Sequence, residues 1–199
     1  MDDVLGDDFA GVLVTDFYAA YDHYPGLHQR CWVHLLRDIH ELRRKYPADV
    51  GLARWARFVG RLYHCAVRDP GPAPTLSPAA QEAWRRERQQ AYEQALARRC
   101  RPSVGQPVPQ RVLCERSLKY LPELFTFVAD PRVPADNNAA ERSIRPVVVR
   151  RKISGGSRSP AGTVCRTALW TLTDTWQLQG RHLLAAWIAL LRNPTVAQV

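Results

Sequence analysis

The chain has 199 residues, with 28 Lys plus Arg against 19 Asp plus Glu, a net charge of +9 and 46% hydrophobic residues. That length gives room for one domain, or one domain with a sizeable insertion, and the composition excludes wholesale disorder. Five cysteines without a CxxC pair fit a reducing compartment rather than a disulfide framework, and the acidic start (Met1-Asp2-Asp3) and the lack of a long apolar run predict a cytoplasmic protein with no membrane partner.

Residues 10–15, Ala-Gly-Val-Leu-Val-Thr, are apolar and β-branched and predict a buried strand ending at Asp16. A carboxylate at the C-terminal edge of a strand sits where α/β folds place their chemistry. The aromatic stretch Phe17–Tyr24 closes at the turn Pro25-Gly26. Residues 28–33 predict a second strand. From His34 the period becomes helical, with Leu35, Leu36, Ile39 and Leu42 on one face. A helix over 48–67 follows, with Leu52, Trp55, Ala56, Val59 and Leu62 as its apolar stripe.

Residues 69–78 hold four prolines and form a connector. Ser77-Pro78 then opens a strongly charged helix running to about Cys100, because Ser suits the N-cap and Pro the first helical position. A link at 102–109 leads to a helix over 110–128. Asp136-Asn137-Asn138 predicts a further helix start carrying Glu141 and Arg145, with Pro146 kinking or ending it. Residues 147–153 are β-branched and basic, 155–162 form a flexible loop, and helices at 163–179 and 182–192 close the chain.

Two carboxylates stand out by context. Asp16 ends the most strand-like run. Glu141 heads a stretch, Arg142 to Thr173, with seven basic residues and no acidic one. Singly, each has a plain structural reading. Asp16 can cap the aromatic segment after it, and Glu141 can pair with Arg145 one helical turn on. The set His28, Cys31 and His34 suggests zinc by spacing, but no fourth ligand lies nearby and a strand does not put all three on one face.

Three blocks taken together say more. Thr15-Asp16-Phe17-Tyr18-Ala19-Ala20-Tyr21, then Cys31-Trp32-Val33-His34-Leu35-Leu36-Arg37-Asp38, then Asp136-Asn137-Asn138-Ala139-Ala140-Glu141-Arg142 with Arg145-Pro146, occur in this order. They resemble successive signatures of the insertion-sequence-66 family of DDE transposases, and the resemblance covers nearly the whole chain. It implies an α/β, ribonuclease-H-like core in which Asp16 matches the second catalytic Asp and Glu141 the catalytic Glu. Both would be metal ligands for a pair of Mg²⁺ ions. It implies DNA, the ends of an insertion element, as substrate, and the Cys31-x-x-His34 pair, by analogy with several DDE transposase lineages, makes His34 a contact to the DNA end or to a scissile phosphate.

The resemblance also calls for a first Asp on a strand well upstream of Asp16, where only fifteen residues stand. The expected chain is therefore the C-terminal part of such a catalytic domain, its opening strands missing and mostly helical overall. Residues 1–45 would form the partial core, 46–128 an all-α insertion, and 129–199 the closing helices with Glu141. An uncovered strand edge at 11–15 predicts poor solubility. An upstream transposase fragment or a second copy would be the partner.

Arg142, Arg145, Arg150, Arg151, Lys152 and Arg158, with Arg166, form the expected DNA-binding surface. Arg binds phosphate through a planar fork, so such binding would be salt-sensitive and largely independent of sequence. Two alternatives stay open. One is an inactive remnant that keeps DNA binding. The other is an unrelated basic helical module, which predicts no strand at 11–15.

Overall fold

The computed structural model describes residues 9–102 and 108–192, and they are mostly helical. The chain divides into two compact units, Met1–Ala139 and Ala140–Val199.

The first unit starts with strand β1, Leu13–Thr15, and strand β2, His28–Arg30. They pair in parallel, Leu13 opposite His28 and Thr15 opposite Arg30. A parallel pair cannot be joined by a tight hairpin, and the crossover here contains a short 3₁₀ turn, Ala19–His23. β2 is shorter than the 28–33 expected, because helix α1 spans Trp32–Lys45. Trp32, Leu35, Ile39 and Leu42 are all buried. Their spacing of three and four residues belongs to the helix, so the helical period starts two residues before His34.

Helix α2 spans Val50–Val67 and is capped by Asp49, whose carboxylate accepts from the Leu52 N–H at 2.8 Å. Helix α3 spans Pro78–Cys100, and the Ser77 hydroxyl oxygen accepts from the Ala80 N–H as the sequence predicts. The proline connector before it is pinned through Asp69, which receives Arg88 at 2.8 Å and the Tyr92 hydroxyl at 2.7 Å. Burial pushes the Asp69 carboxyl up, but these hydrogen bonds outweigh it and hold it below the usual range.

The single helix expected over 110–128 is broken. Helix α4 spans Val108–Lys119, a 3₁₀ turn covers Pro122–Leu124, and the four-residue helix α5 covers Thr126–Ala129. Pro122 has no N–H and its ring would clash with the Leu118 carbonyl in a continuing helix.

Helices α1 to α4 share one core. Leu35, Trp55, Val59, Leu96 and Phe125 are fully or almost fully buried in it. Beside it runs a buried polar seam along the outer edge of β2. The Gln29 side-chain amide donates to the Arg30 and Leu124 carbonyls, and its oxygen accepts from the Phe127 N–H. The Thr126 hydroxyl donates to the His28 carbonyl at 2.6 Å. Side chains therefore satisfy an edge that a third strand would otherwise cover.

Arg30 is the buried charge of this seam, 1% exposed. It donates to Asp22 at 2.6 Å, to Glu123 at 2.5 Å and to the Asp16 carbonyl at 3.1 Å, with its guanidinium 4.4 Å from the Tyr120 ring centre. Burial pushes Asp22 up, but hydrogen bonds from Lys119, Tyr120 and Arg30 outweigh it and hold its pKa at about 2, below its ordinary 3.8. A carboxyl with a depressed folded pKa stabilises fully above its unfolded pKa and loses that contribution as pH falls through the folded one. Stability is therefore expected to drop between about pH 4 and pH 2. Urea melts across this range should show a shallower fall for Asp22→Asn than for the parent. Identical slopes would remove Asp22 from the acid transition.

Among its described residues the second unit holds three helices. α6 spans Asn138–Ile153, starting at the end of the first unit, α7 spans Pro160–Leu178 and α8 spans Leu183–Arg192. α6 continues through Pro146, which therefore does not end it, and 147–153 is helical rather than an extended basic segment. Proline's fixed φ is compatible with a helix, but the helix there loses one hydrogen bond and must accommodate the ring against the Arg142 carbonyl. Gly155 and Gly156 end the helix with positive φ, 65° and 86°, and the Gly156 N–H donates to the Arg151 carbonyl. Trp176 is the one buried residue among those described in this unit, and it meets Trp187 edge-on at 5.1 Å. Among the described residues no helix is long and apolar enough to cross a membrane.

Candidate functional site

Asp16 directly follows β1, half-buried at its C-terminal end. Its Oδ1 accepts from the Tyr18 N–H at 2.9 Å, so the capping role that the sequence allows is realised locally. No partner for Oδ2 occurs among the described residues. The Asp16 main-chain carbonyl is held by Arg30 and by the Thr15 hydroxyl.

α1 begins beside it. The Cys31 N–H donates to the Thr15 carbonyl at 2.7 Å, which ties the start of α1 to the end of β1. The segment before α6 lands on the same point. The Trp32 N–H donates to the Ala135 carbonyl at 3.1 Å, and the Asn137 N–H donates to the Cys31 sulfur at 3.4 Å. Asp136 accepts from the Asn138 N–H at 3.0 Å as a helix-start residue should. The first two sequence blocks and the Asp136–Asn138 start of the third thus meet around Cys31, which is fully buried. Tyr63 is close by, its hydroxyl raised by burial and then by the neighbouring Asp136 and Cys31. The Asn137 side-chain oxygen is buried with no hydrogen-bond partner.

His34 lies in the first turn of α1, half-buried. His28 instead sits in β2, its Nε2 bonded to the Tyr24 carbonyl at 2.9 Å. Among the described residues no group of three His, Cys, Asp or Glu could hold a metal ion.

Glu141 and the basic residues belong to the second unit. Glu141 is half-buried in the first turn of α6. The helical period places Arg145 and Lys152 on its side of the helix, with Arg142 adjacent. Arg150 points to the opposite side and lies 3.6 Å from Asp174, while Arg151 stands about 80° round the helix from Glu141, on the other flank from Arg142. Arg158 is exposed in the link to α7. Arg166 donates to the Ser154 hydroxyl at 2.8 Å, and its guanidinium lies 5.6 Å from the centre of the Trp170 ring. The basic stretch that reads as one surface in sequence is therefore divided around a helix.

Sequence reasoning missed Arg30. The available signal was an arginine inside a short strand, where a charge must be fully partnered to be buried.

The family model described as the Transposase IS66 family matches residues 1–164. An uncharacterized protein, y4jO, of Sinorhizobium fredii (strain NBRC 101917 / NGR234) is 28% identical over 177 residues, covering 89% of this chain and 50% of that protein. The chain thus spans about half the length of the curated relative it matches. No solved structure matches. With the family model covering most of its length, the chain belongs to the IS66 family of transposases.

Proposed function

We propose that this chain carries part of the catalytic region of a DDE transposase, ribonuclease-H-like in plan, that cuts and joins DNA at insertion-element ends. The observation that carries this reading is the meeting of the end of β1, the start of α1 and the Asp136–Asn138 segment at Cys31. It joins the Asp16 block to the block that leads into Glu141. A strand at Leu13–Thr15 also weighs against an unrelated all-helical module.

Asp16 and Glu141 are the proposed metal ligands. Carboxylate oxygens are the hard donors Mg²⁺ takes, so the donor type fits. Two carboxylates are fewer than a two-metal site uses, and the third is supplied from outside these 199 residues, by an upstream segment or another copy. When bound, such ions activate an attacking oxygen and stabilise a leaving one at phosphorus. This chain's own residues do the positioning. Arg30 fixes the Asp16 main chain, leaving Oδ2 to face a ligand. Arg142, Arg145 and Lys152 hold phosphates beside Glu141, Arg150, Arg151 and Arg158 extend that contact, and His34 meets the DNA end from α1. In this plan 46–128 is a helical insertion between the 1–45 and 129–199 parts, and its helices share their core with α1.

The test is Mg²⁺-dependent cleavage of insertion-element ends by this chain, alone and with an upstream segment of a longer relative added. Cleavage that needs the added segment, and that Asp16→Asn and Glu141→Gln each reduce to background, is the expected result. Variants that cut as fast as the parent would remove both residues from the site. DNA binding without cleavage in every arm would make the chain an inactive remnant.

A further inference from the structure

The exposed side of α2 carries a feature that the proposed site does not use. The buried residues Leu52, Trp55, Ala56, Val59 and Ala66 define its inward face. Directly opposite, Arg54, Arg57, Arg61, His64 and Arg68 recur at steps of three and four residues, and all five are exposed. At 3.6 residues per turn they fall within a sector of about 80°, and from Arg54 to Arg68 they run for roughly 21 Å.

Three properties separate this stripe from an ordinary solvated face. Val50–Val67 contains no acidic residue. Among the described residues, no ion pair involves Arg54, Arg57, Arg61 or Arg68. Among the described residues a stripe guanidinium makes one hydrogen bond, to its own helix, from Arg57 to the Ala53 carbonyl. In α3 only part of the arginine set is free of acidic partners, since Arg86 pairs with Glu82 and Arg88 with Asp69 while Arg98 and Arg99 have no such pair among the described residues. A codon bias toward Arg would scatter cations over every exposed helix face and leave acidic neighbours among them. The α2 stripe sets four arginines and a histidine in one line with no acidic residue among them, and each guanidinium has five N–H donors to satisfy.

We propose that the α2 stripe is a second DNA-binding surface, separate from the basic residues around Glu141, that lies along the phosphates of duplex DNA. Its length matches about six base-pair steps, over which duplex DNA presents one negative charge per roughly 1.7 Å of axis. A straight row of arginines carries no pattern for reading bases, so the contact is to backbone and independent of sequence. The proposal rests on the transposase reading only for the choice of DNA as the polyanion.

Binding of a mixed-sequence duplex by the whole chain, followed by fluorescence anisotropy across a salt series, tests it. Arg54→Gln/Arg57→Gln/Arg61→Gln should weaken binding about 100-fold near 0.1 M salt and lower the slope of log K against log salt by roughly 3, or 0.9 per lost phosphate contact. An equal charge loss elsewhere, Arg86→Gln/Arg98→Gln/Arg101→Gln, should cost less than about 3-fold if position rather than net charge matters. The substitutions are exposed and Gln is a good helix former, so the thermal melt should not move.

If the stripe variant binds like the parent while Arg142→Gln/Arg145→Gln/Lys152→Gln loses binding, the α2 proposal falls and the transposase reading stands. If the two triple variants weaken binding equally, net charge is the cause and the proposal falls. If the parent binds no duplex, both readings fall. Stripe-dependent binding to phosphatidylserine vesicles in place of DNA would also overturn it.

Discussion

Arg30→Met is expected to destabilise the first unit by about 3 kcal/mol, the lower end of the range for removing one partner of a buried ion pair. The variant takes a donor from three acceptors at once: Asp22, Glu123 and the Asp16 carbonyl. The cost sits at the lower end for two reasons. Asp22 keeps Lys119 and the Tyr120 hydroxyl, and the Glu123 side chain is 30% exposed and can reach water. Arg30→Lys keeps the charge but not the fork that reaches three acceptors, so it should fall between the parent and the methionine variant. Urea unfolding at neutral pH measures both, and a methionine variant within 1 kcal/mol of the parent would be inconsistent with an arginine held as a buried charge. The effect should extend to chemistry. Arg30 holds the Asp16 main chain, so Arg30→Lys should slow Asp16-dependent cleavage more than it weakens DNA binding.

A larger loss, about 4–5 kcal/mol, is expected for Trp32→Ala. The indole is fully buried, and its ring centre lies 5.2 Å from those of both Tyr63 and Phe125. Its N–H donates to the Leu124 carbonyl, which ties α1 to the turn after α4. Alanine removes the packing and leaves a cavity, while the Leu124 carbonyl keeps only the weaker Gln29 contact at 3.3 Å. Trp32→Phe separates the two contributions. It should restore most of the packing and leave a deficit of about 1–3 kcal/mol for the unmade hydrogen bond and the smaller ring. Denaturant midpoints of the two variants test this, and equal midpoints would mean that filling the volume does not matter at this position. A mild phenotype for Trp32→Ala would contradict the single shared core.

Much of the fold is visible in the sequence where one residue type has one physical meaning. Ser77-Pro78 starts α3 because a hydroxyl cap and a missing N–H both belong at a helix start. The apolar stripe from Leu52 to Val59 gives α2 by period alone. Reading fails where one pattern has two meanings. Cys31, Trp32 and Val33 are apolar in a strand and in a helix alike, so β2 is expected three residues too long. Pro122 and Pro146 are each a proline in a helical context, yet one breaks the helix and the other sits inside α6. Their local sequences do not distinguish the two outcomes.

The candidate site is legible only in part. The three motif blocks stand far apart in sequence, and what joins them is a pair of backbone donors meeting at Cys31, which no spacing rule contains. The α2 stripe is hidden for a simpler reason. A search for core residues looks at the inward face and treats the opposite face as solvent.

The second unit buries Trp176 alone among its described residues, while Ile153, Leu178 and Leu191 stand 82%, 90% and 79% exposed. Helices with so little apolar burial open at small free-energy cost. Amide protons of α6 to α8 should therefore exchange with solvent far sooner than those of α1, whose inward side chains are closed off. Any partner that fixes α6 must first supply the ordering entropy of these helices, so part of its intrinsic affinity is spent before binding is observed.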